Sequence, residues 1–143
     1  MSTRPAADAV PCQPTVIIVD DEAADRSYVG AVVRKMGLNR IEASSLDDVK
    51  RIAAEHKDAL IVLDVMLGED DASDVLEALA AERFTGGIIL ISAHERTVMD
   101  WVYGLGARMK LKMLSTLRKP ITPDALRAGI RAAGQAALRA AAR

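Results

Sequence analysis

The chain has few cysteines and few aromatic residues, and its charges nearly balance. Because Cys12 is the only cysteine, neither an intramolecular disulfide nor a cysteine metal cluster can form, and a reducing cytoplasm is the expected compartment. The 19 basic and 20 acidic residues leave a formal net charge of -1. This balance gives no electrostatic reason for direct binding to nucleic acid or to an anionic membrane.

Long hydrophobic runs are also missing. No stretch reaches the ~18 apolar residues that a membrane span needs, and the opening MSTRPAADAVPCQP has no apolar core of signal-peptide length. Half of the 143 residues are apolar, which is enough for one core and leaves little room for a second domain. We therefore expect a soluble domain over residues 15–143, preceded by a flexible segment, 1–14, whose prolines and small or polar residues cannot repay the entropy of ordering.

Five short apolar runs predict β-strands. The first, Thr15–Val19, is a continuous β-branched run, which is typical of a strand covered on both faces. Four others follow along the chain, at 40–43, 60–63, 88–91 and 113–117. Strands of this kind require helices on both sides of the sheet.

The segments between these runs carry apolar residues at helical spacing. In the first, Val29, Val32, Val33 and Met36 share one face, and Gly37 can adopt the left-handed conformation that ends a helix. Ser45 is placed to cap the second helix, whose first turn is acidic. The apolar faces of the second and third helices are predicted to be Leu46, Val49, Ile52 and Ala53, and then Val75, Leu76 and Leu79.

The last two helices are predicted in the same way. The fourth presents Val98, Val102 and Leu105 and is expected to break near Gly104 and Gly106. The fifth begins at Thr122-Pro123-Asp124, with a capping residue and a proline at the first helical position. Its inner face would be Leu126, Ile130, Ala133 and Ala137, and the alanine-rich end, 132–143, continues this helix or begins a linker. Alternating strands and helices predict an α/β sandwich of three layers with right-handed crossovers.

Reactive polar residues end four of the strands. Asp20 and Asp21 follow the first strand, Asp64 the third, Ser92 the fourth and Lys119 the fifth. The carboxyl ends of parallel strands lie at one edge of a sheet, so these residues indicate a single site. Carboxylates can hold Mg²⁺, an aspartate can act as a covalent nucleophile, and an ammonium relieves the repulsion among clustered carboxylates.

Four motifs in this order resemble those of bacterial response-regulator receiver domains: Val19-Asp20-Asp21-Glu22, Leu63-Asp64-Val65-Met66, Ile91-Ser92-Ala93 and Arg118-Lys119-Pro120. The resemblance covers about residues 15–140. It implies a flavodoxin-like fold, in which a five-stranded parallel sheet of order 2-1-3-4-5 is flanked by five helices.

The resemblance also implies roles for individual residues. Asp64 would accept a phosphoryl group from a histidine kinase or a histidine phosphotransfer protein, and Ser92 and Lys119 would contact that group. Asp21 and Asp64 would bind Mg²⁺ directly, Asp20 through water, and Met66 through its backbone carbonyl. The surface of the fourth helix, fifth strand and fifth helix would then bind a downstream protein or a second copy of the domain. Such a protein is a switch, with no catalysis beyond its own phosphorylation and dephosphorylation.

Some positions depart from the receiver pattern or are expected to tune it. Thr116 stands where many receivers carry an aromatic residue that turns inward after phosphorylation. His94 lies two residues beyond Ser92, where it could influence attack by water on the phosphoaspartate. Trp101 and Tyr103 are expected on or after the fourth helix, where they would be partner anchors or core residues.

Three alternative functions remain open from the sequence. Residues 114–120 resemble receivers found ahead of EAL-type domains, so the chain could be the receiver part of a regulator with a cyclic-dinucleotide phosphodiesterase output. Thr116 is also compatible with a phosphate-independent docking domain. A small phosphatase or a flavin-binding protein of the same fold is disfavoured, because Met66 replaces a second catalytic acid and no Ser/Thr/Gly-rich loop follows Val19.

Overall fold

A computed structural model describes residues 14–67, 70–93 and 96–141 of the chain. Residues 1–13 of the predicted flexible segment 1–14, Cys12 among them, lie outside the described residues, as do His94 and the packing of the Ala137 side chain. Among the described residues, no helix combines the length and the apolar character that crossing a membrane requires.

The predicted parallel sheet is present. Its five strands, in chain order, are β1 Thr15–Val19, β2 Asn39–Ala43, β3 Leu60–Asp64, β4 Gly87–Ser92 and β5 Lys112–Arg118. They are arranged β2-β1-β3-β4-β5 and all pair in parallel, which confirms the predicted order 2-1-3-4-5. A short antiparallel ladder joins Met66–Leu67 to Asp70–Asp71 just after β3.

Five helices cover the two faces of this sheet. Their bounds are α1 Ala23–Lys35, α2 Leu46–Glu55, α3 Ala72–Ala81, α4 Arg96–Arg108 and α5 Pro123–Ala141. The core has two halves: α2, α3 and α4 pack on one face, whereas α1 and α5 pack on the other. The central strands are buried on both sides, and this explains why their sequences are apolar without alternation.

Local signals set the ends of several helices as predicted. The Ser45 hydroxyl accepts a hydrogen bond from the Asp48 amide at the start of α2, and the Thr122 hydroxyl accepts one from the Ala125 amide at the start of α5. After α1, Gly37 has a φ of +78°, the left-handed conformation that glycine adopts without a steric cost.

Two predictions for α4 were wrong. The helix continues through Gly104 and Gly106 to Arg108. Gly106 serves packing instead, because a Cβ added there would lie 2.4 Å from the Met113 sulfur, so its absence lets α4 approach β5 closely. The buried face consists of Met99, Val102 and Gly106, whereas Val98 is exposed.

Strand β5 contains an irregularity. Ile88 pairs with Met113 and Ile89 with Ser115, so Leu114 is an extra residue in the register between β4 and β5. Beyond this bulge Thr116 pairs with Leu90, whose side chain belongs to the core half under α2, α3 and α4. Paired residues of parallel strands point to the same face, so Thr116 lies on the α4 side of the sheet, where it is exposed.

Candidate functional site

The register of the sheet brings the predicted polar residues to one edge. Val19 of β1 pairs with Leu63 of β3. The next residues, Asp20 and Asp64, therefore lie side by side at the ends of two adjacent strands. Asp64 pairs with Ile91, and Ser92 pairs with Arg118, the residue before Lys119. Each carboxylate, hydroxyl or ammonium therefore stands at the carboxyl end of its strand, where the loops leave a crevice.

Asp64 is a buried carboxylate with both oxygens bonded. Its Oδ1 accepts a hydrogen bond of 2.9 Å from the Met66 amide, and its Oδ2 accepts one of 2.8 Å from the Lys119 ammonium. The residue is only 7% exposed. A buried carboxylate is costly without hydrogen-bond donors, so these two donors hold the Asp64 side chain in its position.

Asp20 is buried beside Asp64. Its Oδ1 accepts a hydrogen bond from the Glu22 amide, and its backbone carbonyl accepts one from Arg26 of α1, whose guanidinium also pairs with Glu42 of β2. Burial raises the pKa of Asp20 to about 6, and the neighbouring Asp64 charge acts in the same direction. Asp20 is therefore held in the site at an energetic cost.

Lys119 is the cation of the site. Its Nζ lies 2.8 Å from Asp64 Oδ2, 2.8 Å from Asp25 Oδ2 and 3.6 Å from Asp20 Oδ2. Burial lowers the pKa of Lys119, but the hydrogen bonds to Asp25 and Asp64 outweigh that effect and hold the pKa above its ordinary value. The ammonium is thus charged throughout the physiological pH range.

Asp25 is a site residue that the sequence analysis missed. It lies in the first turn of α1, and its side chain is 45% exposed. The signal was available: α1 follows β1, so its first turn begins at the same sheet edge as Asp20, and an acid one turn into that helix can reach the crevice. The strand-end pattern drew attention only to residues that directly follow strands.

Three carboxylates form the candidate cation site. Oxygens of Asp20, Asp25 and Asp64 all lie within 4.8 Å of one another. Oxygen ligands from one or two carboxylates are what Mg²⁺ takes up in proteins, so the donor set fits this ion. Among the described residues, this group does not include Asp21, which is exposed in the turn between β1 and α1.

The remaining predicted residues surround this centre. Ser92 is fully buried at the end of β4, and its backbone carbonyl accepts a hydrogen bond from the Lys119 amide. Met66 is exposed.

A cavity of about 560 Å³ opens next to the carboxylates, between α1 and the segment after β5. Its lining residues include Asp20, Asp25, Tyr28, Ile91, Lys119 and Ile121.

The structure distinguishes the two aromatic residues of α4, whose roles as partner anchors or core residues the sequence left open. Trp101 is 59% exposed on α4. Tyr103 is partly buried against the core, and its hydroxyl donates a hydrogen bond to the Met113 carbonyl of β5. Tyr103 is therefore a packing residue, whereas Trp101 is available on the surface.

Residues 16–131 match the family described as "Response regulator receiver domain", and the chain belongs to this family. It is 27% identical over 107 residues to the transcriptional regulatory protein PdtaR of Mycobacterium tuberculosis (strain ATCC 25618 / H37Rv), covering 73% of this chain and 52% of PdtaR. It is 28% identical over 117 residues to the alkaline phosphatase synthesis transcriptional regulatory protein PhoP of Bacillus subtilis (strain 168), covering 82% of this chain and 47% of PhoP.

The fold is also that of solved receivers. The beryllofluoride-activated NtrC4 receiver domain dimer superposes with a TM-score of 0.70 at 21% identity, covering 83% of this chain and 94% of that one. The chain spans about half the length of PdtaR and PhoP. The protein is a signalling receiver with an acidic pocket formed by Asp20, Asp25 and Asp64.

Proposed function

We propose that this receiver accepts a phosphoryl group on Asp64 from a phosphohistidine of a histidine kinase or a histidine phosphotransfer protein. The observation that supports this most is the pairing of a buried Asp64 carboxylate with Lys119 at 2.8 Å, inside a group of three carboxylates that opens to a cavity. A phosphoryl acceptor needs a fixed nucleophile, fixed positive charge and access for the donor. Asp64 and Lys119 supply the first two, and the cavity beside them, lined by Asp20, Asp25 and Lys119, supports the third.

The transfer would proceed by displacement at phosphorus. An oxygen of Asp64 forms the new bond to phosphorus, the bond from phosphorus to the donor nitrogen breaks, and its electron pair remains on the imidazole. Lys119 stabilises the charge on the phosphoryl oxygens, and the Met66 amide orients the Asp64 carboxylate. Mg²⁺, when bound, neutralises further phosphoryl charge.

The ligands of Mg²⁺ in this proposal come from the acidic group and its surroundings. Asp64 and Asp21 would be direct ligands, together with the Met66 backbone carbonyl, and Asp20 would act through water. Ser92 would bond to the phosphoryl group, and His94 would tune attack by water on the phosphoaspartate.

Phosphorylation of the protein tests this function directly. The purified chain is incubated with acetyl phosphate and MgCl₂, and intact-protein mass spectrometry measures the addition of one phosphoryl group. We expect the wild type and Asp47→Ala, which removes an exposed carboxylate of α2, to be modified. Asp64→Ala should remain unmodified. A phosphorylated Asp64→Ala, or a wild type that never gains the group, would contradict the proposal.

We further propose that the surface of α4, β5 and α5 reports the phosphorylated state to a protein effector or to a second copy of the domain. Trp101 and Val98 are exposed there, and large aromatic residues are common anchors of protein interfaces. The NtrC4 receiver, which has the same fold, is a dimer in its beryllofluoride-activated form. Because residue 116 on β5 is an exposed threonine, the proposed signal does not depend on an aromatic side chain that turns inward at this position.

A larger regulator is the second candidate. PdtaR and PhoP are each about twice as long as the part that this chain matches, and both are transcriptional regulators. The similarity of residues 114–120 to receivers ahead of EAL-type domains favours a cyclic-dinucleotide phosphodiesterase as the output. The reading frame that encodes the chain distinguishes these cases, because an output domain would be encoded in the same frame.

A further inference from the structure

Lys119 is shared between two elements before any phosphoryl group arrives. Its ammonium is equidistant from Asp64 of β3 and Asp25 of α1, at 2.8 Å from each. Asp25 is not at a strand end, and Lys119 already has two other carboxylate partners, since Asp64 and Asp20 lie within 4 Å of the same nitrogen. The contact to Asp25 therefore requires an explanation of its own.

The charge of the site makes this second carboxylate unfavourable for the incoming donor. Asp20, Asp25 and Asp64 carry three negative charges when ionised, and Lys119 carries one positive charge, so the formal sum is -2. A phosphoryl donor is itself an anion. Asp25 repels it and also competes with its oxygens for the hydrogen-bond donors of Lys119.

A second contact joins the same two parts of the protein. The Tyr28 hydroxyl, one helical turn after Asp25, donates a hydrogen bond of 2.6 Å to the Ile121 carbonyl, two residues after Lys119. Helix α1 is thus tied to the segment after β5 by one contact that depends on charge and one that does not. Both contacts border the cavity beside the carboxylates.

We propose that Asp25 is a positioning residue that holds Lys119 in its resting place and restrains phosphorylation of Asp64. This inference rests on the proposed function of Asp64. When Asp64 is phosphorylated, the Lys119 ammonium moves from Asp25 to the phosphoryl oxygens, because these carry more charge than the carboxylate. The ion pair between Lys119 and α1 is then broken, independently of Thr116, whereas the hydrogen bond from Tyr28 to the Ile121 carbonyl remains.

Kinetics of phosphorylation test the restraint. With acetyl phosphate at saturating Mg²⁺, Asp25→Asn should be phosphorylated about three- to tenfold faster than the wild type, since one charge is removed a few ångströms from the donor. Asp25→Glu should restore a rate near that of the wild type. Asp47→Asn, the matched change in the first turn of α2, should stay within about twofold of the wild type. Added salt should reduce the difference between Asp25→Asn and the wild type.

Nuclear magnetic resonance of lysine side chains tests the positioning without phosphorylation. The signals of Lys119 are assigned with Lys119→Arg and followed in protein without a donor. Asp25→Asn should shift them, whereas Asp47→Asn should leave them unchanged. Addition of beryllofluoride and Mg²⁺ to the wild type should shift the Asp25 carboxyl signal toward that of a solvent-exposed aspartate.

The two experiments separate the possible failures. If Asp25→Asn is no faster than Asp47→Asn, or if Asp25→Glu is as fast as Asp25→Asn, the restraint is refuted. If Asp25→Asn leaves the Lys119 signals in place, the positioning is refuted as well. If the wild type is not phosphorylated at all, the proposed function fails, and the resting contact of Lys119 is still decided by the lysine signals.

Discussion

At the scale of single residues, the site contains carboxylates that are buried, although burial of a charged group is unfavourable. Asp20 and Asp64 are at the ends of two adjacent strands, and they share the single positive charge of Lys119. Asp64 has two donors for its two oxygens, whereas Asp20 is bonded to the Glu22 amide and lies 3.6 Å from the ammonium. The cost of this arrangement is visible in the raised pKa of Asp20.

The pH dependence of stability should reveal that cost. Because the pKa of Asp20 rises from 3.8 to about 6 in the folded protein, the folded state binds protons more tightly than the unfolded state between these values. Stability is therefore lost as the pH rises through about 4 to 6. In metal-free buffer at pH 8, Asp20→Asn should increase the free energy of unfolding by up to about 3 kcal/mol, with little effect at pH 4.

Urea denaturation at the two pH values measures this difference. Asp58→Asn, which neutralises an exposed aspartate before β3, is the control and should change stability equally little at both. A gain from Asp20→Asn that does not depend on pH would contradict the assignment of the shifted pKa to this residue.

At the scale of elements, local sequence signals predicted the ends of several helices, whereas the course of α4 depended on packing. The C-terminal end of α1 and the N-terminal ends of α2 and α5 were predicted, because a left-handed glycine or a capping hydroxyl affects only the few residues next to it. The course of α4 was not, because Gly104 and Gly106 read locally as breaks. Only the approach of Met113 from β5 shows that Gly106 is a packing position inside a continuous helix.

A pair of glycines tests the local part of this distinction. An added Cβ meets nothing within 4 Å at either Gly37 or Gly134, so only the backbone conformation differs between them. Gly37→Ala places alanine at a φ of +78° and should lower the free energy of unfolding by about 1 kcal/mol. Gly134→Ala lies in α5 and should raise it by about 0.5–1 kcal/mol. Thermal and urea unfolding measure both, and equal effects of the two substitutions would refute the reasoning.

At the scale of the whole molecule, the fold separates the acidic pocket from the surface that we propose binds a partner. The carboxyl edge of the sheet carries the acidic pocket, and α4 with β5 carries the exposed Trp101 and the edge of the sheet. Lys119 lies directly after β5, so the same strand borders both surfaces. Strand β3, which ends at Asp64, pairs with β4, and β4 pairs with β5, so the sheet connects the two regions.

The α4 surface can be tested through Trp101, the single tryptophan of the chain. Because its side chain is largely exposed, Trp101→Ala should change the free energy of unfolding by less than about 1 kcal/mol and should leave phosphorylation of Asp64 intact. It should weaken beryllofluoride-dependent association, with a second copy or with an isolated effector, by about tenfold or more. Sedimentation measures self-association.

The control for this experiment is Arg34→Ala, which changes an exposed residue on α1 and should leave association unchanged. Tryptophan fluorescence of the wild type should change on addition of beryllofluoride and Mg²⁺. Undiminished association of Trp101→Ala would show that another surface reports the activated state.

The sequence by itself determined the fold class, the strand order expected from the receiver motifs, and most of the buried faces of the helices. The fold class and the buried faces follow from apolar periodicity and capping, which are short-range properties of neighbouring residues, whereas the strand order came from the resemblance to receivers. It also indicated that Asp20, Asp21, Asp64, Ser92 and Lys119 would meet, since the carboxyl ends of parallel strands share an edge. Of these carboxylates, Asp20 and Asp64 belong to the group that the structure brings together, whereas Asp21 does not.

Only the tertiary structure decided that Asp25 also touches Lys119. The sequence places Asp25 near this edge, one turn into the helix that follows β1, but the 2.8 Å contact of its carboxylate with the ammonium depends on how α1 packs against the sheet. The bulge at Leu114, which directs Thr116 to the α4 side, likewise depends on how β5 pairs with β4. Distances between elements are set by packing, so the partners of a charge at their junction are set there as well.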